Sequence, residues 1–221
     1  YFSLPRGATR KFAIACLFGR NFDDILRNKR TMQKIYDADY SFAKPPNKSR
    51  LTAVQGDQSA VLMWDNVAEF SRDPIYGTDF EGYMIYRATD PSFNSIKTIT
   101  DAFGNPILWQ PIAQFDLDNG LKGPHPVQIG ETGAVFNTGT DSGLRYYYKD
   151  TGLDNGRSYY YALVPYDAGY DLDFFDRGIS TRDKLTPISP SEASKIIQTD
   201  LIGNVTYVDK NTAVVVPNAA A

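Results

Sequence analysis

The spacing of apolar positions changes along the chain. Between Phe22 and Tyr40 they recur at helical intervals (Phe22, Ile25, Leu26, Met32, Ile35, Tyr36, Tyr40), interrupted by Lys29. Asn21 stands ahead of this stripe as a cap. Asp23 and Asp24 occupy the first turn, where the helix dipole favours negative charge, and Asp24 is at the capping-box position. Pro45-Pro46 closes the segment. From Leu51 the period falls to two. Ala60, Leu62 and Trp64 share one face of a strand, and Tyr83 and Ile85 share a face within residues 80–87. A third strand is expected over Ile107–Phe115. Tyr146–Tyr148 and Tyr159–Val164 read as two more, parted by the turn Asp154-Asn155-Gly156.

Two segments stand outside this series. Arg10–Phe18 is apolar enough for one buried strand but has no neighbour in sequence to pair with. Asn204–Val208, a turn at 209–211 and Thr212–Val216 read as a hairpin beyond the sandwich. Short strands separated by turn signals predict a mainly β, antiparallel sandwich with long loops, one N-terminal helix and extra terminal strands. The expected divisions are 1–20 (strand segment), 21–44 (helix and linker), 45–197 (sandwich) and 198–221 (C-terminal hairpin and tail).

The stretch from Pro45 to about Ile197 resembles a fibronectin type III domain, a sandwich of the immunoglobulin-like kind. Pro46 followed by Leu51–Val54 is similar to its first strand, and Trp64 to the core tryptophan of its second. Gly82–Arg87, containing Tyr83, is similar to the third. The most specific piece is Tyr148–Tyr161, in which Leu153, Gly156 and Tyr159 fit the family's Leu-x-x-Gly-x-x-Tyr corner. In such a corner the Leu plugs the end of the core, the Gly permits a tight connection, and the Tyr hydroxyl bonds back to nearby backbone. The stretch is about half as long again as the ~100 residues of a compact sandwich. The excess is assigned to loops at 66–79, much of 89–144, and 168–186. Pro165 falls near the end of the sixth strand, where its missing N–H must be absorbed by a bulge or the strand end. The flanking pieces, especially Leu17–Lys29 before Pro45-Pro46, are similar to segments beside such domains in large, uncharacterised secreted bacterial proteins. That resemblance implies an extracellular or cell-surface setting.

Composition narrows the function classes. With 23 basic and 26 acidic residues and a net charge of −3, the chain lacks the basic balance expected of a nucleic-acid binder. No apolar run approaches the ~20 residues that span a bilayer. The chain opens at Tyr1 without Met or a signal-like apolar core and closes on 217–221, as expected of a segment of something longer. A single Cys, Cys16, excludes an intrachain disulfide and is expected to be a small buried hydrophobe. The single His, His125, lies in Gly-Pro-His-Pro and is expected on an exposed loop, so no triad is built around it.

Two ligand ideas follow from the residues. Asp116 and Asp118, in Asp-Leu-Asp-Asn-Gly, place carboxylates at alternate positions before a Gly as calcium loops do, and Asp167, Asp171, Asp173 and Asp176 form a second acidic cluster. Against calcium, Asp commonly serves ordinary turns. Trp109, Tyr170, Phe174 and Phe175 are loop aromatics that could form a platform for a sugar ring or pin the loops to the sandwich. Sequons occur at Asn47 and Asn204. No catalytic residue or cofactor other than calcium is implied. The expected function is a non-catalytic structural or interaction module, joining other domains or copies of itself by strand addition, in the limit as a filament. The alternative is an accessory module of a secreted enzyme that binds polysaccharide or protein.

Overall fold

The computed structural model describes residues 5–7, 9, 14–37 and 42–219. The chain divides into two compact units, Tyr1–Phe42 and Ala43–Ala221.

The first unit contains one helix, α1 (Phe22–Asp37). Its start is built as the sequence predicts: Asn21 Oδ1 accepts the Asp24 N–H at 2.9 Å, and Asp24 Oδ2 accepts the Arg20 N–H at 2.9 Å. Two expectations change here. Residues 10–13 of the predicted strand lie outside the described residues, and 14–18 form no strand. Cys16, placed in that segment, is exposed rather than buried.

The second unit is a β-sandwich. Its strands are β1 (Leu51–Gly56), β2 (Ser59–Trp64), β3 (Phe80–Ala88), β4 (Ile99–Thr100), β5 (Pro106–Leu108), β6 (Ala113–Asp116), β7 (Pro124–Gln128), β8 (Val135–Asn137), β9 (Tyr147–Thr151), β10 (Tyr159–Asp167), β11 (Ile197–Thr199), β12 (Val205–Val208) and β13 (Thr212–Val215). One sheet has the order β1-β2-β9 and the other β13-β10-β3-β6, with all pairs antiparallel. Three two-stranded hairpins, β4–β5, β7–β8 and β11–β12, complete the set.

Alternation along the strands aims one set of side chains between the sheets. Leu62 and Trp64 from β2 meet Tyr83 and Ile85 from β3 and Tyr161 and Leu163 from β10 in one buried cluster. The Trp64 ring stacks on Phe115 at 6.1 Å and tilts against Tyr83 at 6.0 Å. The opposite face of the four-stranded sheet is buried too. Met84, Tyr86, Val164 and Tyr166 form a second cluster beneath Phe93, Phe136, Ala193 and Ile197, all supplied by the long connections. The insertions therefore act as a third layer. That layer is why β3 and β10 read as nearly continuous apolar runs instead of alternating.

The C-terminal strands differ from the predicted hairpin. Val205–Val208 pairs with β11, while Thr212–Val215 joins the main sheet along β10, with Tyr159 opposite Val215 and Ala162 opposite Thr212. The last strand is thus spent inside its own sandwich. Pro165 is accommodated at that edge. The Leu163 N–H, on the same side, donates to Asn211, but β13 pairs no further along β10 than Ala162. Past that point residues 191–193 take over the edge: the Ala193 N–H donates to the Pro165 carbonyl at 2.9 Å, and Pro165 has no N–H to return, so the ladder there runs on one bond of the pair. The predicted strand over Ile107–Phe115 is also two strands, broken at 109–112: β5 pairs with β4, and β6 with β3.

Candidate functional site

Two of the hairpins end in the same turn. β4–β5 is closed by Asp101-Ala102-Phe103-Gly104-Asn105 and β11–β12 by Asp200-Leu201-Ile202-Gly203-Asn204, both of the form Asp-x-apolar-Gly-Asn. Asp101 Oδ1 accepts the N–H groups of Phe103 and Asn105, each at 2.8 Å, and its Oδ2 accepts the Asn105 side-chain amide at 2.9 Å. Asp200 repeats the pattern with Ile202 at 3.0 Å, Asn204 at 2.8 Å and the Asn204 amide at 2.9 Å. The glycines adopt φ of 84° and 93°, which a side chain would strain. Hydrogen bonds from the Asn side chain and then the backbone hold both Asp carboxyls below their ordinary range.

The consequence is an ordered display of apolar side chains. Phe103 is 83% exposed, Ile202 85%, and Leu201 is fully exposed. All four residues of β12 are exposed as well. The hairpins share a root: Leu108 at the end of β5 and Ile197 at the start of β11 pack in the cluster on the outer face of the four-stranded sheet. Next to them the Lys195 ammonium lies 3.4 Å from the centre of the Trp109 ring and donates to Glu192 Oε1 at 2.9 Å, while Lys97 approaches the same ring at 4.9 Å. Burial pulls the Lys195 ammonium below its ordinary pKa, with Glu192 opposing.

The residues singled out in the sequence are dispersed. Trp64, Tyr83, Leu153 and Tyr159 are buried in the inter-sheet core, and Gly156 takes φ of 81° at the corner. Trp109 is half-buried, with cations on its ring, whereas Tyr170 and Phe174 are 1% and 0% exposed in a separate cluster with Tyr76, Leu121 and Ala168. The three form no shared platform. Tyr170 and Phe174 pin the 168–188 connection, and Phe175 alone of that pair of phenylalanines reaches solvent. His125 is not an exposed loop residue. It is buried edge-on against Phe174 at 5.6 Å, its Nδ1 accepts the Val127 N–H at 3.1 Å, and burial lowers its pKa.

Asp116 and Asp118 do not share a site. Asp118 is exposed. Asp116 is fully buried, and its oxygens accept the N–H groups of Thr140 (2.8 Å), Asp141 (2.6 Å) and Ser142 (3.0 Å) and the Ser142 hydroxyl (2.6 Å). Its chemistry is that of a loop anchor. Asp167 is likewise engaged, accepting from Gly169 and Ser191, and Asp173 pairs with Arg177. Among the described residues no group of three His, Cys, Asp or Glu side chains is placed to hold a metal ion. Burial raises three carboxyls toward neutrality: Asp79 to about 7, Asp167 to about 6 and Glu81 to about 8. No described helix is long and apolar enough to cross a membrane.

The paired turns were visible in the sequence as two copies of one five-residue pattern, a signal that strand-by-strand reading passes over.

No family model and no curated protein matches the chain. Among solved structures, a β-1,2-glucanase from Parabacteroides distasonis aligns with 57% of this chain at 16% identity and a TM-score of 0.27. The chain spans 11% of the length of that glucanase.

Proposed function

We propose that the second unit is a fibronectin type III-like sandwich serving a non-catalytic, interaction role outside the cell, and that it meets other copies of the chain through its two apolar-tipped hairpins. Strand order β1-β2-β9 facing β13-β10-β3-β6, with the Leu153–Gly156–Tyr159 corner, supports the family reading.

One observation carries the functional reading: the same Asp-built turn holds a solvent-exposed apolar side chain at the tip of each hairpin. Two-stranded hairpins are marginal in water, and apolar surface left in solvent costs about 25 cal/mol per Å². A covered hairpin recovers both. Each hairpin carries one Asp and no Lys or Arg, which disfavours an anionic lipid surface and favours protein. The C-terminal strand β13 is paired within the chain, and the association proposed rests on the hairpins and not on strand donation.

The test is light scattering of the purified chain over a range of concentrations, for the wild type, Phe103→Ser and the double change Leu201→Ser/Ile202→Ser. Self-association that the double change abolishes, with thermal stability unaltered, is the expected result. A wild type that stays monomeric throughout, or variants that associate as it does, overturns the reading.

A further inference from the structure

We infer that a cleft at the corner end of the sandwich, between the 89–96 connection and the 152–157 corner, binds a compact organic anion: a carboxylate or phosphate ester of monosaccharide size. This inference stands apart from the hairpins and does not depend on them.

The cleft has a volume of about 360 Å³, within the range of small-ligand pockets. Arg87, Thr89, Ser95, Gly152, Arg157 and Tyr159 line it, and no carboxylate does. Its two cations, one from β3 and one from the turn before β10, share one support. The Arg87 guanidinium lies 5.9 Å and that of Arg157 5.8 Å from the centre of the Tyr159 ring.

Arg87 is held in place by the far sheet. Its Nη1 donates to both oxygens of the buried Asp150 on β9, each at 3.0 Å, and the Tyr161 hydroxyl donates to Asp150 Oδ2 at 2.7 Å. Arg157 donates through Nη1 to Asp154 at 3.3 Å. Each guanidinium carries five N–H donors, and both of these ion pairs run through Nη1, so the fork of each retains further donors for an oxyanion. The nearest acid of the 89–96 connection, Asp90, is turned to its own loop, accepting from Ser92, Asn94 and Ser95.

A cleft with two arginines, three hydroxyl side chains and no lining carboxylate is rich in donors and poor in acceptors. That selects an anion over a neutral polyol. Stacking of a sugar face on Tyr159 is not the mode, because the ring is buried and flanked by the guanidiniums.

The experiment is an amide-shift titration of the intact chain with sodium glucuronate, glucose 6-phosphate and glucose, repeated with Arg157→Gln and Arg157→Lys. Arg157 is the exposed member of the pair, so its replacement leaves the fold intact, which a thermal melt verifies. The expected result is saturable shifts around Thr89, Ser95 and Gly152 with at least one anion, weakened by salt and by about tenfold in Arg157→Gln, less so in Arg157→Lys. The anion that binds more tightly identifies carboxylate or phosphate as the natural group. Equal binding of glucose, binding unchanged in Arg157→Gln, or no shift with either anion overturns the inference.

Discussion

The Tyr159 hydroxyl accepts the Asp154 backbone N–H at 3.0 Å, tying the start of β10 to the turn that leads into it. Leu153, beside Asp154, is buried in the inter-sheet core, and Gly156 donates its N–H to Pro217 at 2.8 Å. The corner therefore binds the turn, the core and the chain beyond β13 at one point. Tyr159→Phe removes the acceptor while keeping the ring that supports Arg87 and Arg157. The expected loss is about 1 kcal/mol in denaturant unfolding, with the slope unchanged.

A larger loss is expected at Asp116. Replacing it with Ala leaves three backbone N–H groups and a hydroxyl without their acceptor, at a cost of about 3 kcal/mol. Gly139 belongs to the same arrangement: its φ is 119°, and a Cβ there would lie 2.4 Å from the Asp116 carboxyl carbon. Gly139→Ala should therefore destabilise the protein too. Both variants should show faster amide exchange over 139–143, and unaltered exchange there would contradict the anchor role.

Stability should fall as pH rises from the ordinary carboxylate range to about 8, because the buried carboxyls of Asp79, Asp167 and Glu81 stay protonated in the fold above the pH at which they ionise in the unfolded chain, and Glu81 carries the highest of the three raised values. It is fully buried, its Oε2 accepts the Asn119 amide at 2.8 Å, and burial lifts its pKa from 4.5 to about 8. In the window between those values the unfolded chain releases a proton that the folded chain keeps. The stabilisation is therefore complete below about pH 4.5 and is lost as pH rises through 8, by up to about 1.4 kcal/mol per pH unit. Glu81→Gln cannot ionise. Melts of the variant should lose the Glu81 share of this slope, most plainly between pH 7 and 8, where Asp79 and Asp167 have largely ionised in the fold as well, and should gain on the wild type at pH 8, whereas equal slopes over that interval would exclude Glu81 as a source.

The paired turns respond in the opposite sense. Their Asp carboxyls are held below the ordinary range, so the order they confer is present above it and lost as pH falls through the depressed values. Asp101→Ala and Asp200→Ala should each speed amide exchange in their own hairpin tip at neutral pH without changing global unfolding. An effect of either change on the other hairpin would show that the tips are not independent.

Much of the sandwich was legible along the chain. Alternation in Ala60–Trp64 placed β2, the capping residues Asn21 and Asp24 placed the helix start, and the 153–159 pattern placed the corner between β9 and β10. These are local signals, since period, cap and turn chemistry are expressed within a few residues of where they act. The candidate sites fared differently. Asp116 and Asp118 are neighbours in sequence, yet one is buried beneath the 139–142 loop and the other is in solvent. Tyr170, Phe174 and His125 lie in connections that polar flanks mark as surface, but they bury one another.

What the sequence by itself determined is the principal strands of the sandwich, β2, β3, β9 and β10, the turn at 154–156 and the inward face, because each follows from spacing along one segment, whereas the short strands β4, β7, β8 and β11 carry no such spacing. The tertiary structure alone decided that the insertions form a third layer over β3 and β10, that β13 closes the main sheet rather than a terminal hairpin, and that Arg87 and Arg157 both pack against the Tyr159 ring. Those outcomes depend on contacts between residues far apart in the chain, where the gain from burying one surface against another is set by which surfaces the fold brings together.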